Sequence, residues 1–157
     1  VEDLRKAFNF PGMRVLQFAW DSGPMNVFLP HNHTVDSVVY TGTHDNNTTR
    51  GWFDEEATKK GLNHMARHVA HELGEIEDEL IRMAFASPGV MAIVPMQDWL
   101  KLGADARMNT PGLPSGNWSW RVSKKQLTKK LSAQMCELTK RYGRAPSVQK
   151  EAEEEDE

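Results

Sequence analysis

The densest cluster of polar side chains lies at residues 41–52, where the sequence reads TGTHDNNTTRGW. His44, Asp45 and Asn46 are adjacent within it, so an imidazole, a carboxylate and an amide are presented together. Such groups can hold several hydroxyls of a sugar at once, whereas adjacent residues rarely converge on one small metal ion. Asp and Asn are also common in turns and at helix N-caps. The cluster alone therefore fits a turn in which Asp45 or Asn46 caps a following helix at least as well.

A second cluster covers residues 107–121, with the sequence RMNTPGLPSGNWSWR. Asn109 and Asn117 offer amides that pair with hydroxyls, and Trp118 and Trp120 offer indoles that cover the apolar C–H face of a sugar. Trp is also mostly buried in proteins, so these indoles could simply cover hydrophobic surface. The cluster predicts either a sugar contact or an ordinary packed loop.

Other reactive side chains carry weaker signals. His64, His68 and His71 recur at i, i+4 and i+7, so they share one helix face. The H-E-x-x-H zinc pattern is absent, and a solvated helix face is the preferred interpretation. Cys136 falls among the core positions of the last predicted helix and is expected to be inert. The sequence contains no phosphate-binding or dinucleotide-binding glycine motif and no nucleophile elbow.

The first cluster directly follows a segment that reads as a strand, and the second follows another predicted strand, on the same presumed face. Near-continuous apolar strands are typical of parallel sheets covered by helices, and the loops at their carboxyl ends build active sites. Three strands leave both sheet edges open, which is typical of a section of a larger sheet. The predicted elements are a helical turn over 2–8, strands over 15–20, 37–41 and 90–94, helices over about 62–73, 76–87 and 124–142, and loops over 42–54 and 101–121.

Composition excludes several classes of protein. The chain has 157 residues, whereas a whole (β/α)₈ barrel usually needs roughly 250. The formal net charge is −3, but the last eight residues contribute −5, so residues 1–149 carry only +2. That balance argues against a nucleic-acid partner, and no apolar run approaches the roughly 18 residues of a membrane span. A single cysteine favours a reducing compartment. Residues 144–157 are expected to be an acidic, disordered tail.

Six segments together resemble one family, the 4-α-glucanotransferases of glycoside hydrolase family 77, which are also called amylomaltases or disproportionating enzymes. The resemblance covers about residues 8–143, and the GNWSWR variant looks more like plastid and other eukaryotic members. Each short motif is weak alone, but six in the family's order are specific. The segments are GMRVLQFAW, LPHNH, SVVYTGTHDN, AIVPMQDWLKLG, ARMNTPG and GNWSWR.

The resemblance implies an α/β fold in which residues 1–143 form the C-terminal part of a (β/α)₈ TIM barrel, about strands six to eight with their helices. The implied reaction transfers an α-1,4-glucan segment between maltooligosaccharides with retention, in starch, glycogen or maltose metabolism. Retention needs a nucleophilic carboxylate and an acid/base carboxylic acid roughly 5–5.5 Å apart. A third carboxylate in the family holds hydroxyls of the reacting glucose and helps to distort its ring. No cofactor and no metal are implied.

The resemblance also assigns roles to residues of this sequence. Asp45 matches the family's third carboxylate, and His44 matches the sugar-binding residue beside it. Asn46 is expected to support these two side chains. Four further residues match positions in loops that line the family's sugar cleft and are expected to bind substrate: Gln97, Asn109, Asn117 and Trp118.

Three departures from the family pattern matter. The motifs of the nucleophile and the acid/base are not in this sequence and are expected to precede residue 1, so the missing N-terminal part of the same enzyme is the expected partner. We therefore expect a fragment that supplies Asp45, lacks the covalent chemistry and is inactive alone. Asn47 stands where the family often has Asp. The acidic tail is not part of the family core.

Two matters remain open at this point. A non-catalytic carbohydrate-binding piece or remnant α/β module is an alternative to the enzyme fragment. The resemblance implies the plastid stroma if the source is a eukaryotic phototroph, and the cytoplasm otherwise.

Overall fold

A three-stranded parallel sheet forms the centre of the fold. A computed structural model of the chain describes residues 2–69 and 75–146. Strands β1 (Gly12–Val15), β2 (Ser37–Tyr40) and β3 (Met91–Ile93) lie in the order β1-β2-β3, with Gly12 opposite Ser37 and Val38 opposite Met91. Both pairings are parallel, which confirms the predicted α/β fold with a parallel sheet. The numbering of these strands within a barrel stays a prediction.

The first strand is shorter than predicted. The strand expected over 15–20 ends at Val15, and the chain continues as a 3₁₀ turn over Leu16–Phe18. Leu16, Ala19 and Trp20 are fully buried, at the i, i+3, i+4 spacing of a helical turn. The prediction of burial is confirmed except at Phe18, which is exposed. The prediction of a strand is wrong beyond Val15, because the continuous apolar run hides this helical spacing.

Six helices accompany the sheet in the described residues, and side-chain caps fix where several of them begin. The predicted loop over 42–54 is wrong in its second half, because Thr48 Oγ1 accepts a hydrogen bond from the Gly51 backbone at 3.0 Å and starts a helix there. The last helix begins five residues later than predicted, because Thr128 Oγ1 accepts from Leu131 N at 3.1 Å. The helices are α1 (Glu2–Ala7), α2 (Thr49–Gly51), α3 (Lys59–Ala66), α4 (Ile76–Ala86), α5 (Met96–Trp99) and α6 (Lys129–Arg141).

Three shorter features complete the described chain. A π-helical turn, Trp52–Glu56, continues directly from α2. Single 3₁₀ turns lie at Pro30–Asn32 and Ala104–Ala106, the second within the otherwise irregular segment predicted over 101–121. The predictions that fall on His71, Leu73 and Gly74 lie outside the described residues. None of the described helices is long and apolar enough to cross a membrane.

The main core lies between α4 and the sheet. Ile76, Leu80 and Ala84 of α4 are fully buried against Val39 of β2, in one cluster with Leu16 and its neighbours. A smaller cluster joins Ile81, Trp99 and Leu131, so α5 and α6 pack on the other side of α4. The central strand is therefore enclosed, and the loops that leave it have a rigid base.

The edge strands are less covered than their sequence predicts. Val90 and Met91 are 66% and 52% exposed, and Met13 of β1 is exposed too. The strand predicted over 90–94 is confirmed at Met91–Ile93, but it is not buried, since β3 pairs with β2 on one side only among the described residues. Cys136 is likewise exposed rather than in the core, because the packed face of α6 carries Leu131, Met135 and Leu138 instead.

Arg144, the first residue of the expected tail, is tied to the end of α4. Its guanidinium donates to the backbone carbonyls of three residues at alternate positions of the chain: Phe85 at 2.8 Å, Ser87 at 2.6 Å and Gly89 at 3.1 Å. These bonds fix the segment after α6 to the connection between α4 and β3. The rest of the expected tail, from residue 147 onward, lies outside the described residues.

A bidentate ion pair joins the start of α2 to α4. Arg50 Nε and Nη2 donate to the two carboxylate oxygens of Glu77 at 2.8 and 2.9 Å, and the Glu77 side chain has no exposed surface. The hydrogen bonds that Arg50 donates to Glu77 raise the pKa of Arg50 further above its usual range. This pair holds the helical segment that follows the first polar cluster against the core.

A buried carboxylate, Asp98 of α5, ties together the two ends of that cluster. Thr41 Oγ1 donates to Asp98 Oδ2 at 2.5 Å, and the Thr49 backbone N–H donates to Oδ1 at 2.7 Å. Asp98 is 1% exposed, and this burial raises its pKa despite the two hydrogen bonds. The end of β2, the start of α2 and α5 therefore share one anchor.

The raised pKa of Asp98 predicts how stability depends on pH. The unfolded chain releases this proton near the ordinary value of 3.8, and the folded chain releases it at a higher pH. The resulting stabilisation is fully present below the unfolded pKa and is lost as pH rises through the folded pKa. Its size is about 1.4 kcal/mol for each unit by which the folded and unfolded pKa values differ. Relative to D98N, the unsubstituted chain should therefore lose free energy of unfolding as pH rises from the unfolded pKa of 3.8 through the higher folded pKa. Urea denaturation of both proteins at several pH values measures this.

Asp36 offers a control of opposite sign. Hydrogen bonds from Thr34 and Arg5 lower the pKa of Asp36, so its contribution is present above the unfolded pKa and lost as pH falls. The difference between the unsubstituted chain and D36N should thus grow with rising pH, weakly because Asp36 is exposed. A difference from D98N that stays constant with pH would contradict the account of Asp98.

Candidate functional site

A tight turn after β2, which we call the Asp45 turn (residues 43–48), presents the first polar cluster. Asn46 Oδ1 accepts hydrogen bonds from the Thr43 backbone N–H at 3.0 Å and from Thr43 Oγ1 at 2.8 Å. The turn is thereby closed from inside, and His44 and Asp45 remain exposed at its tip. The alternative that Asp45 or Asn46 caps the next helix is wrong, because Thr48 is the cap. The Asp45 turn, closed by Asn46, is what presents the imidazole and the carboxylate.

The structure brings the two predicted clusters into direct contact. Asn109 Nδ2 donates to Asp45 Oδ1 at 2.6 Å, and His44 Nε2 lies 3.3 Å from the same oxygen. The Asn109 backbone N–H also donates to the His44 carbonyl at 3.0 Å. The Asp45 side chain is still 52% exposed, so its carboxylate is oriented by an amide while it stays open to a ligand.

Arg107 crosslinks this contact, although the sequence analysis assigned it no role. Its guanidinium donates to three acceptors: Nη2 to the Asp45 carbonyl at 2.8 Å, Nε to the Asn109 carbonyl at 2.9 Å, and Nη1 to Glu56 Oε1 at 3.0 Å. The only feature of the sequence that could have indicated a role for Arg107 is its position two residues before Asn109. The partner carboxylate lies 51 residues away, on the π-helical turn.

Asn47, the position where the resembled family often has Asp, is a buried residue of the same turn. Its Nδ2 donates to Glu56 Oε1 at 2.9 Å and its Oδ1 accepts from Thr48 N at 2.9 Å. An aspartate in this orientation would face the Glu56 carboxylate with no proton to donate. Space is tight as well, since a Cβ on Gly51 would come 2.3 Å from Asn47 Oδ1. The amide therefore suits this surrounding better than a carboxylate.

A cavity of about 210 Å³ opens beside the Asp45 turn. Four of the predicted site residues, His44, Asn46, Gln97 and Trp118, lie in its wall. Gln97 is buried and donates from Nε2 to the Ala106 carbonyl at 3.2 Å. The remaining lining residues were not assigned from the sequence: Thr43, Asn47, Thr48, Pro95, Arg107 and Met108.

Trp118 forms an apolar side of this cavity. Its side chain is 54% exposed, and its ring centroid lies 5.0 Å from that of His44 at an interplanar angle of 40°. Its backbone has a φ of +60°, in the left-handed region that costs a non-glycine residue about 1–3 kcal/mol. The Trp118 N–H donates to the Met108 carbonyl at 2.7 Å and so fixes that conformation. Such strain in a half-exposed aromatic residue is typical of a functional position.

The other predicted residue of this loop, Asn117, turns inward. Its Oδ1 accepts from the Thr110 backbone at 2.8 Å, and its Nδ2 donates to the Leu113 carbonyl at 3.0 Å. Asn117 lies outside the cavity wall and shapes the loop over 107–121, which we call the Trp118 loop. Trp120 of the same loop is half-buried.

His64 of α3 and His68, which follows the end of α3 at Ala66, have a packing role. The helix predicted over 62–73 therefore ends earlier than expected. His64 Nδ1 lies 2.9 Å from the Trp20 carbonyl, and the His64 and His68 rings pack edge-on against the Trp20 indole. The interpretation of this face as solvated is therefore wrong for His64, which is half-buried. Within residues 2–69 and 75–146, no group of three His, Cys, Asp or Glu side chains could hold a metal ion.

The described geometry can bind a polyhydroxylated ligand. His44, Asn46 and Gln97 line the wall, and Trp118 offers an apolar face. Asp45 and Asn109 are not lining residues, but the exposed Asp45 carboxylate lies beside His44. A carboxylate fixed by Asn109 can also stabilise positive charge that develops on a bound molecule.

Comparisons with known proteins agree on one family. A family model described as 4-alpha-glucanotransferase, glycoside hydrolase family 77, matches residues 1–128. The 4-alpha-glucanotransferase of Synechocystis is 49% identical over 148 residues, which are 92% of this chain and 29% of the relative. The chloroplastic/amyloplastic 4-alpha-glucanotransferase of Arabidopsis thaliana is 50% identical over 125 residues, 78% of this chain and 21% of the relative.

A solved structure supports the same relationship. The amylomaltase from Streptococcus agalactiae in complex with acarbose superposes with a TM-score of 0.85 at 34% identity. The match covers 92% of this chain and 29% of that chain, so the sequence spans less than a third of these relatives. From the family match and the shared fold, the chain belongs to the 4-alpha-glucanotransferases of glycoside hydrolase family 77.

Proposed function

We propose that the chain forms part of a 4-α-glucanotransferase that moves α-1,4-glucan segments between maltooligosaccharides with retention, and that Asp45 is its transition-state-stabilising carboxylate. The observation that carries the proposal is the contact of 2.6 Å between Asn109 and the exposed Asp45, whose neighbour His44 lines the cavity together with the exposed indole of Trp118. Hydrogen-bonding groups on one side and an apolar face on the other suit a pyranose ring.

In this proposal, Asp45 acts on the ring and not on the glycosidic bond. A sugar that departs from its glycosidic oxygen passes through an oxocarbenium-like state, in which its hydroxyls become more acidic and its ring flattens. A carboxylate that accepts hydrogen bonds from those hydroxyls binds that state more tightly than the ground state, and this difference accelerates the reaction. Asn109 keeps one oxygen of Asp45 fixed, and His44 lies beside it.

The remaining predicted residues bind and position substrate in the proposal. Trp118 covers the C–H face of a glucose residue, and His44, Asn46 and Gln97 provide polar groups in the same wall. Asn109 contributes through Asp45. Asn117 contributes through the shape of the Trp118 loop, since its amide is committed to Thr110 and Leu113.

We assign the covalent chemistry to the part of the family's chain that this sequence does not span. Retaining transfer needs two more carboxyl groups that flank the bond. The nearest further carboxylate in the described site, Glu56, is bound by Arg107 and Asn47 and is not free for that role. The account places β1, β2 and β3 at about strands six to eight of a barrel, with the nucleophile and acid/base on preceding strands. No metal and no cofactor enters this chemistry.

A second candidate function is carbohydrate binding without catalysis. It is favoured by one observation: the cavity, its indole and its polar wall are all built from residues of this chain. Binding of a glucan would then not require the rest of the enzyme.

Substitution of Asp45 tests the enzymatic role. A suitable protein is a chimaera in which this chain replaces the aligned segment of the Synechocystis 4-alpha-glucanotransferase, with which it shares 49% identity. In this chimaera, Asp45→Asn should lower kcat for disproportionation of maltotriose by about 10²-fold or more and change KM little, because the contact acts mainly in the transition state.

The matched control is Asp36→Asn. Asp36 precedes the opposite end of β2 and pairs with Arg5 on the surface. This substitution should leave kcat within about twofold, since exposed ion pairs contribute little. A chimaera that retains full kcat after Asp45→Asn would remove Asp45 from the mechanism.

Calorimetry with maltoheptaose tests the second candidate and the role of Trp118. If the chain binds this glucan alone, Trp118→Ala should weaken binding by about tenfold, which corresponds to about 1.4 kcal/mol. Trp118→Phe should retain most of the affinity, because it keeps an aromatic face and has the same backbone cost at φ +60°. Affinity that survives Trp118→Ala would contradict the role of the indole. No binding by the unsubstituted chain would exclude the second candidate.

A further inference from the structure

Three different segments meet at the guanidinium of Arg107. It donates to the backbone of the Asp45 turn, to the backbone of its own loop at Asn109, and to the carboxylate of Glu56. About one fifth of its side chain is exposed, so most of the group is shielded from water. The guanidinium has five N–H donors in a rigid planar fork that reaches all three acceptors, whereas the compact ammonium of a lysine does not reproduce that geometry.

Glu56 provides the charge that holds Arg107 in this place. It is the last residue of the π-helical turn, in which the Ala57 N–H donates to the Trp52 carbonyl at 2.7 Å. Its Oε1 accepts from Arg107 and also from Asn47 Nδ2 at 2.9 Å. The extra residue of a π-helical turn re-aims the side chains that follow it, and such turns are frequent at functional sites. Glu56 is thereby anchored on both sides.

Residues 107–109 determine where Asp45 lies relative to Trp118. The Asp45 turn is joined to them by Arg107 Nη2, by the Asn109 backbone and by the Asn109 amide. The Trp118 N–H is joined to the carbonyl of Met108, between those two residues. The positions of the Asp45 carboxylate and of the Trp118 indole therefore both depend on hydrogen bonds to residues 107–109.

We propose that Arg107, held by Glu56, is a positioning residue that fixes the Asp45 turn and the Trp118 loop in one geometry and so sets the catalytic rate through Asp45. The inference rests on the proposed function, because it assumes that Asp45 acts on the substrate. It extends that function to a residue pair, Arg107 and Glu56, for which the sequence carried no assigned role.

The alternative is that Arg107, which lines the cavity, contacts the substrate directly. A direct contact and a positioning role differ in their kinetics. A residue that binds substrate equally in ground state and transition state changes KM, whereas one that acts through Asp45 changes kcat. A positioning role also predicts that the effects of substituting Arg107 and Asp45 do not multiply.

The test is a double-mutant cycle in the chimaera with maltotriose as substrate. Arg107→Lys should lower kcat by about tenfold to about 100-fold, with KM within about twofold. The double variant D45N/R107K should be no more than about threefold slower than D45N alone, since the group being positioned is already lost. The control Arg141→Lys, in an exposed pair with Glu137 on α6, should leave both parameters unchanged.

Glu56→Gln tests the same inference from the other side of the pair. It should lower kcat by about threefold to tenfold, and this loss should also disappear in the D45N background. Thermal unfolding of each variant shows whether it folds. If Arg107→Lys does not fold, the Glu56→Gln cycle decides the inference alone, because this near-isosteric change leaves an acceptor oxygen for Arg107 and Asn47.

Three results would overturn the inference: an unchanged kcat, a raised KM with kcat retained, or losses that multiply in the double variant. Two results would instead count against the proposed function. These are a chimaera without transfer activity beside an active Synechocystis enzyme, and an active chimaera in which Asp45→Asn has no effect. A large effect of Asp45→Asn with no effect of Arg107→Lys or Glu56→Gln would leave the proposed function intact and reject only the positioning role.

Discussion

The hydrogen bond of 2.6 Å between Asn109 and Asp45 is the contact on which the arrangement of the site depends. It joins a turn that follows β2 to a loop that follows β3, and these strands are parallel neighbours. The carboxyl ends of parallel strands lie at one edge of a sheet, so side chains more than sixty residues apart in sequence meet there. With Asn109 as partner, the Asp45 carboxylate is oriented before any ligand arrives.

Two features of the surrounding structure are energetically unfavourable by themselves and maintain this arrangement. Asp98 is a carboxylate in a buried position, with a pKa raised by that burial, and it fixes both ends of the segment that contains the Asp45 turn. Trp118 holds a left-handed backbone conformation while its indole stays half-exposed. Strain and desolvation of this kind cluster at functional sites, where they fix a geometry that local preferences would not select. Trp118 lines the cavity, and Asp98 fixes the segment that contains the Asp45 turn, so both features support the assignment of the site.

Much of the fold could be predicted because its signals are local. The β-branched run at 37–41 forms the central strand, and the helical spacing of Ile76, Leu80 and Ala84 forms α4. The strand over 15–20 could not be delimited, since an apolar run fits a strand or a buried 3₁₀ turn equally. The cap at Thr48 was missed because neighbouring Asx residues offered the same chemistry. Exposure of Val90 and Met91 depends on what lies beside β3, which periodicity does not encode.

The site was only partly predictable for a related reason. His44, Asp45 and Asn46 are adjacent in sequence, so their joint chemistry is visible without a structure. Arg107 and Glu56 are common residue types 51 positions apart, and only the three-dimensional fold makes them partners. Asn117 has the same amide as Asn109, yet backbone geometry turns it into its own loop. Residue type predicted the chemistry of the site, while orientation required tertiary contacts.

A crystal structure of the chimaera with acarbose, the ligand present in the Streptococcus agalactiae amylomaltase structure, tests the central claim most directly. The account predicts an Asp45 carboxylate oxygen at hydrogen-bond distance, about 2.5–3.0 Å, from hydroxyls of one saccharide ring, with the Trp118 indole against a neighbouring apolar face. An occupied site in which Asp45 touches no saccharide would contradict it.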